Sequence, residues 1–139
     1  MKVLVISAAY PPMHVGEATN TFHLCQQLVE HGVDVSVLTS VGNVGTGDPR
    51  IHVHAIMQSW GWSDLLRVRS FLKRYAPDSV FLMYIGLMYK FHPMVTFLPT
   101  VSKRLFPKMP FVTRYESAFV GADPSKTGIV SRLFRKLVV

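Results

Sequence analysis

The chain has 139 residues, of which 49% are hydrophobic and 17% charged, and its formal net charge is +7 at pH 7. This composition argues against an intrinsically disordered protein, and the length predicts one domain, residues 1–139, with its own hydrophobic core. A single cysteine excludes an internal disulfide and favours the cytoplasm.

Hydropathy predicts neither a membrane-spanning helix nor a secretory signal. The longest apolar region, residues 80–89, has about half of the roughly 20 residues that a membrane-spanning helix needs. The apolar start of the chain ends at Tyr10-Pro11-Pro12 without a convincing cleavage site. The positive charge has two interpretations: basic faces that are merely solvated, or attraction to an anionic lipid surface. Nothing beyond charge supports nucleic-acid binding.

The first 40 residues predict a βαβ unit. Residues 3–6 and 35–39 are short aliphatic runs, typical of parallel strands that are buried on both faces. Between them, a helical face is formed by Ala18, Phe22, Cys25 and Val29, and Gly32 is placed to end the helix. In open α/β sheets the loops after the carboxyl ends of strands hold the ligand. We therefore expect a site that begins within residues 8–17.

The remaining chain continues the alternation of strands and helices. We expect an edge strand at 51–56, followed by a basic amphipathic helix at 63–76 with Ser63 or Asp64 as its N-cap. A central strand at 80–84 and a helix at 93–106, bent at Pro99, should come next. The chain should then form a fifth strand at 111–114, a polar loop at 117–126 and a last helix from 129. The predicted fold class is α/β, a Rossmann-like open parallel sheet with helices on both faces.

Several blocks of sequence resemble a known family when they are taken in order. They are Met1-Lys2-Val3-Leu4-Val5-Ile6-Ser7, Tyr10-Pro11-Pro12, Val15-Gly16, Gly32-Val33-Asp34-Val35-Ser36-Val37-Leu38-Thr39, Pro77-Asp78-Ser79-Val80-Phe81 and Pro110-Phe111-Val112-Thr113. In this order and spacing they resemble the N-terminal domain of the retaining glycosyltransferases of family 4 (group 1), which have the two-domain GT-B fold.

This resemblance implies an enzyme of the hexosyltransferase type. Such an enzyme transfers a sugar from a nucleotide-sugar donor to a glycan or lipid-linked acceptor, here in envelope or surface polysaccharide synthesis. The family keeps its donor site and a Glu-x7-Glu pair in a second domain, and we find no such pair. We therefore expect a truncated, acceptor-side N-terminal half that is inactive alone, with the donor as co-substrate and no metal or other cofactor.

The loop before the first helix contains four candidate substrate-binding residues. A glycine at a helix mouth lets the backbone approach a ligand, and free N–H groups there bind phosphate. The family has Gly-Gly at this place, whereas this chain has Val15 and Gly16. Alternatively, Gly16 serves only the turn. Glu17 either contacts the acceptor or is stabilised by the helix dipole, and His14 either hydrogen-bonds a ligand or is merely solvated. The absence of Gly-x-Gly-x-x-Gly argues against a dinucleotide oxidoreductase.

The ends of the fourth and fifth strands provide the other candidates. Tyr84 either presents its hydroxyl to the cleft or packs in the core. By resemblance to the family's Thr-x-His-Asp, Tyr115 and Glu116 take the catalytic positions. Tyrosine is a poor base at neutral pH, and the family's mechanism lets the leaving phosphate accept the proton. Arg114 is a candidate substrate ligand, and both Arg114 and Glu116 are alternatively salt-bridge partners.

A membrane surface is the last predicted partner. Tryptophan favours the lipid–water interface and basic residues favour anionic headgroups, so the candidate contacts are Trp60, Trp62, Arg67 and Lys73. This interpretation predicts a cytoplasmic enzyme, peripheral on the inner face of the membrane. Core packing explains the helix's apolar face equally well. The remaining histidines show no metal-site spacing. A binding module or a basic membrane-surface adaptor without catalysis remains the alternative function.

Overall fold

A computed structural model describes residues 1–45 and 47–115 of the chain. Its regular elements are β1 (Lys2–Ile6), α1 (Gly16–Glu30), β2 (Asp34–Ser40), β3 (Ile51–Met57), α2 (Trp62–Tyr75), β4 (Ser79–Tyr84), α3 (Leu98–Leu105) and β5 (Phe111–Tyr115). Two short 3-10 segments, Gly86–Tyr89 and Pro93–Phe97, connect β4 to α3. Glu116, the predicted loop at 117–126 and the predicted last helix lie outside the described residues.

The five described strands form one parallel sheet in the order β3-β2-β1-β4-β5. This order confirms the α/β, Rossmann-like fold class and the edge position of β3. The chain runs outward from β1 to β3, returns to the centre, and runs outward again through β4 and β5. All strands remain parallel, but the direction in which successive strands are added to the sheet reverses between β1 and β4. Open α/β sheets bind ligands at such a reversal of strand order.

Helices cover both faces of the sheet, as the sequence predicted. Val3 and Val5 pack in one cluster with Cys25 of α1, whereas Leu4 and Ile6 pack in a second cluster with residues of α2 and α3. Successive strand residues point to opposite faces, so an unbroken aliphatic run supplies both cores. Each such side chain, once fully buried, contributes about 1.5–3 kcal/mol.

The connection from β3 to α2 is organised by a fully buried carboxylate. Helix α2 begins at Trp62 with Gly61 as its N-cap, so the prediction of Ser63 or Asp64 as N-cap was wrong. The Oδ2 atom of Asp64 instead accepts hydrogen bonds of 2.8–2.9 Å from the backbone N–H groups of residues 58, 59 and 60. Its Oδ1 atom accepts one of 3.2 Å from Arg67. Asp64 thus fixes the loop that precedes its own helix.

The helix predicted at 93–106 is divided into two elements. Residues Pro93–Phe97 are 3-10 helical, and the Nδ1 atom of His92 accepts a hydrogen bond from the Met94 N–H at their start. Pro99 lies in the first turn of α3, where its missing N–H group leaves no bond unmade. The proline therefore helps to begin a helix here and does not bend a longer one.

Replacing Asp64 by alanine should destabilise the fold strongly. The substitution removes the acceptor of three backbone hydrogen bonds, so we expect the free energy of unfolding in urea to fall by at least about 2 kcal/mol. Asp34→Ala, which removes an exposed carboxylate, is the control and should change it far less. Equal losses in the two variants would contradict this role of Asp64.

Cys25 should be unreactive in the native protein. Burial raises the pKa of its thiol to about 12, so almost no nucleophilic thiolate exists at pH 8. We expect negligible labelling by a disulfide reagent at pH 8 and complete labelling of the single thiol in guanidinium chloride. Rapid stoichiometric labelling of the native chain at pH 8 would show that this face of α1 opens.

Candidate functional site

The loops after β1 and β4 meet where the strand order reverses and form a narrow crevice. It is lined by Ser7, Ala8, Ala9, Glu17, Thr21, Met83, Ile85 and Met88. Its free volume of about 10 Å³ is barely enough for one water molecule. The interior of the crevice therefore has no room for a larger ligand, and Glu17 of the first turn of α1 forms part of its wall.

The first turn of α1 is open to solvent. Gly16 is the first helical residue and is exposed, and Val15, the half-buried N-cap, makes no side-chain capping bond. The helix geometry leaves the N–H groups of Gly16 and Glu17 without intrahelical partners. A Cβ atom built on Gly16 would meet nothing within 4 Å, and the residue's φ is not in the left-handed region. The backbone at Gly16 therefore needs no glycine for its own conformation.

Glu17 and His14, the two other candidate residues near the start of α1, differ in how deeply they are buried. Glu17 lines the crevice and is half-buried, and its carbonyl oxygen accepts a 2.8 Å hydrogen bond from the Thr21 hydroxyl. His14 is exposed on the loop that leads into the helix. Of the predicted residues in this segment, the structure thus brings Glu17 into the crevice lining, whereas Gly16, one residue before it, and His14 lie outside that lining.

Ala8 in the loop after β1 is held by side chains from three other segments. Its N–H donates to the Tyr89 hydroxyl (3.2 Å), and its carbonyl accepts from Ser40 Oγ (3.0 Å) and Asn43 Nδ2 (3.1 Å). The Tyr89 hydroxyl donates in turn to the carbonyl of Met83 in β4 (2.7 Å). Burial raises the pKa of Tyr89, so the proton that Met83 accepts is retained at neutral pH. One hydroxyl thereby ties the loop after β1 to the end of β4.

Four aromatic rings, with that of Tyr89 among them, form a row across the carboxyl ends of the strands. We call them the aromatic row: Trp60, Tyr89, Tyr84 and Tyr115. Successive ring centroids lie 4.9, 5.8 and 5.3 Å apart. Tyr84 and Tyr115 are register partners of β4 and β5, and Tyr115 is 76% exposed. Tyrosine combines an apolar ring face with a hydroxyl group, so this exposed ring can both pack against a ligand and hydrogen-bond to it.

The end of β4 presents successive side chains to opposite faces of the sheet. Met83 packs with the α1 cluster and lines the crevice, whereas the next residue, Tyr84, packs against the α2–α3 cluster. Arg114 is exposed and lies in register with Met83, which places it on the crevice side. The predicted residues thus form two groups, Glu17 and Arg114 on one side and Tyr84 with Tyr115 on the other.

One of the predicted membrane contacts was wrong. Trp60 is only 4% exposed, its ring packs on Tyr89, and its indole N–H donates to Ser40 Oγ at 2.8 Å. This tryptophan is therefore a core residue that cannot reach a lipid surface. Trp62 and Lys73 are exposed, and Arg67 is exposed while also bonding to Asp64.

Sequence reasoning missed the polar residues that position the loops. Tyr89 closes the longest apolar run, where a hydroxyl needs a buried partner, and this was a usable signal. Ser40 and Asn43 lie at and beyond the end of β2, in a stretch that resembled an ordinary turn. Their shared partner, Ala8, is more than thirty residues away, so no local pattern reveals it.

Comparisons with known proteins leave the resemblance to family 4 as a prediction. No family model matches the chain, and no curated protein matches it either. Within residues 1–45 and 47–115, no group of three or more His, Cys, Asp or Glu side chains is placed to hold a metal ion. In the same part of the chain, no helix has the length and apolarity needed to cross a membrane.

Tyr89→Phe should loosen the crevice without removing the ring. The variant leaves the Ala8 N–H and the Met83 carbonyl without their bridge, so we expect a loss of about 1–3 kcal/mol in the free energy of unfolding. Hydrogen exchange at the Ala8 amide should also accelerate. The matched control is Tyr84→Phe, since the Tyr84 hydroxyl makes no hydrogen bond within the described residues. Similar behaviour of the two variants would refute the bridging role.

Proposed function

We propose that the chain is the acceptor-side domain of a retaining, nucleotide-sugar-dependent glycosyltransferase. The enzyme would transfer a sugar to a glycan or lipid-linked acceptor in envelope or surface polysaccharide synthesis. Two features support the proposal. One is the ordered set of sequence blocks that resemble family 4, and the other is a Rossmann-like sheet whose strand order reverses between β1 and β4. The observation that carries it is the environment of Gly16.

Gly16 combines open space with unpaired backbone donors. Its conformation is accessible to any residue, and nothing lies within 4 Å of a built Cβ, so the interpretation of a glycine needed only for the turn loses its basis. A glycine that the fold does not require is explained by an approaching ligand, because any side chain would occupy the space in front of the N–H groups. Those groups and the helix dipole favour a phosphate.

In this arrangement the chain contributes position rather than a strong base. A donor diphosphate, held mainly by a second domain, would reach the N–H groups of Gly16 and Glu17. The acceptor would pack on the exposed ring of Tyr115, whose hydroxyl donates a hydrogen bond. The leaving phosphate would accept the acceptor's proton, so Tyr115 need not ionise. Most of the rate would come from orientation and from stabilising the departing negative charge.

The test uses the product of the complete open reading frame with Gly16→Ala and Gly16→Val. We would measure nucleoside diphosphate release from a panel of nucleotide sugars in the presence of candidate polysaccharide acceptors. Transfer should fall with Ala and by about 100-fold or more with Val, because the diphosphate is displaced from its position. Thermal stability should not fall with Ala, which is a better helix former than glycine.

Asn20→Ala is the matched control, since Asn20 is an exposed residue of α1 away from the crevice lining. It should retain full transfer. Wild-type transfer in Gly16→Val would overturn the role of Gly16. Absence of transfer with every donor, combined with ligand binding by the chain alone, would favour the alternative of a binding module without catalysis.

A further inference from the structure

The two helical layers carry opposite charge. Helix α1 contains two carboxylates, Glu17 and Glu30, and neither lysine nor arginine. Helices α2 and α3 together contain Arg67, Arg69, Lys73, Arg74, Lys103 and Arg104. The single carboxylate of these two helices, Asp64, is fully buried and already hydrogen-bonded. The outer surface of the α2–α3 layer is therefore strongly cationic.

The same layer exposes large apolar side chains at the carboxyl edge of the sheet. Trp62 is 53% exposed, and its ring contacts the rings of His92 (5.2 Å) and Phe97 (5.6 Å). Phe97 is 46% exposed. Leu66, one helical turn after Trp62, is 64% exposed and lies on the same side of α2. These residues join the start of α2 to the start of α3 in one apolar cluster.

The apolar cluster and the cations belong to the same helical layer. Along α2, Arg69 lies three residues after Leu66 and Lys73 four residues after Arg69, so they continue the stripe that begins at Trp62. Helix α3 contacts α2 and adds exposed Lys103 and Arg104 in its last turn. We call this surface, Trp62, Leu66, Arg69, Lys73, Phe97, Lys103 and Arg104, the basic aromatic face.

We propose that the basic aromatic face binds the surface of an anionic lipid bilayer. Tryptophan and phenylalanine partition into the boundary between headgroups and acyl chains, while flanking lysine and arginine attract anionic headgroups. This inference goes beyond the proposed function and does not depend on it. Compared with the membrane contacts predicted from the sequence, Trp60 is left out and Leu66 and Phe97 are added as apolar contacts. The cationic contacts now come from both α2 and α3.

Charge argues against two other occupants of this face. An isologous dimer through the face would place the same cations opposite each other. The part of the chain beyond the described residues is also rich in cations, with Lys126, Arg132, Arg135 and Lys136 against Glu116 and Asp123. A neutral or cationic partner leaves the charges of the face unmatched, whereas an anionic leaflet matches them over the whole face.

The two tryptophans provide a built-in reporter for the test. The chain contains Trp60, which is buried, and Trp62, which is exposed, and no other tryptophan. We would add vesicles of phosphatidylcholine alone, or with phosphatidylglycerol, and follow fluorescence and co-sedimentation. With the anionic vesicles we expect a blue shift, quenching by lipids brominated near the headgroup, and weakening by salt. With phosphatidylcholine alone we expect much weaker binding.

Two sets of surface variants separate this face from general electrostatics. Trp62→Gln with Leu66→Gln should abolish the quenching and reduce binding, whereas Val44→Gln, at an equally exposed valine elsewhere, should not. Arg69→Glu with Lys73→Glu lowers the net charge by four and should weaken binding by at least about tenfold. The control also lowers it by four, with glutamate at Thr19, Asn20, His23 and Gln27 of α1, and should weaken binding far less.

Several results would overturn the proposal. They are equal binding to neutral and anionic vesicles, equal losses from the α1 control and the α2 variant, and unchanged binding after Trp62→Gln with Leu66→Gln. Dimerisation that buries Trp62, or tighter binding to a single-stranded oligonucleotide than to anionic vesicles, would assign the face to a different partner. Circular dichroism of every variant verifies that the fold is retained.

Discussion

The Tyr89 hydroxyl links the two halves of this fold at the point where they diverge. It accepts from the Ala8 N–H after β1 and donates to the Met83 carbonyl in β4, so one buried group satisfies backbone atoms at the carboxyl ends of both central strands. Unpaired buried backbone groups cost about 1–3 kcal/mol each, so the loops cannot separate without penalty. The position of the crevice, and of the first turn of α1 beside it, follows from this bridge.

A second set of buried polar bonds keeps Trp60 in an unfavourable conformation. Its φ of +55° lies in the left-handed region, which costs a bulky residue about 1–3 kcal/mol. Asp64 accepts its backbone N–H, and Ser40 accepts its indole N–H and donates to Ala8. The strain thus places an aromatic ring against Tyr89 and couples the β3–α2 loop to the loop after β1. The Trp60 end of the aromatic row is therefore held in place by these hydrogen bonds.

Local periodicity predicted the elements because a covered parallel strand and an amphipathic helix each leave a signature within ten residues. Residues 3–6, the stripe through Cys25 and the edge strand near residue 51 all follow that rule. The candidate site was harder to predict, because its geometry depends on bonds across long sequence separations, such as Ala8 to Tyr89. Trp60 was misassigned for the same reason, since interfacial preference and burial beside a hydrogen-bond acceptor favour the same residue type.

Under the proposed function, donor and acceptor would approach the sheet from different faces. Gly16 and Glu17 belong to α1, which contains two carboxylates and neither lysine nor arginine. Tyr84 and Tyr115 lie on the other side, which they share with the cationic layer of α2 and α3. If that layer rests on an anionic leaflet, a lipid-linked acceptor would meet the aromatic row from the membrane side. The nucleotide sugar would approach from the α1 side, and the two substrates would meet at the carboxyl edge of the sheet.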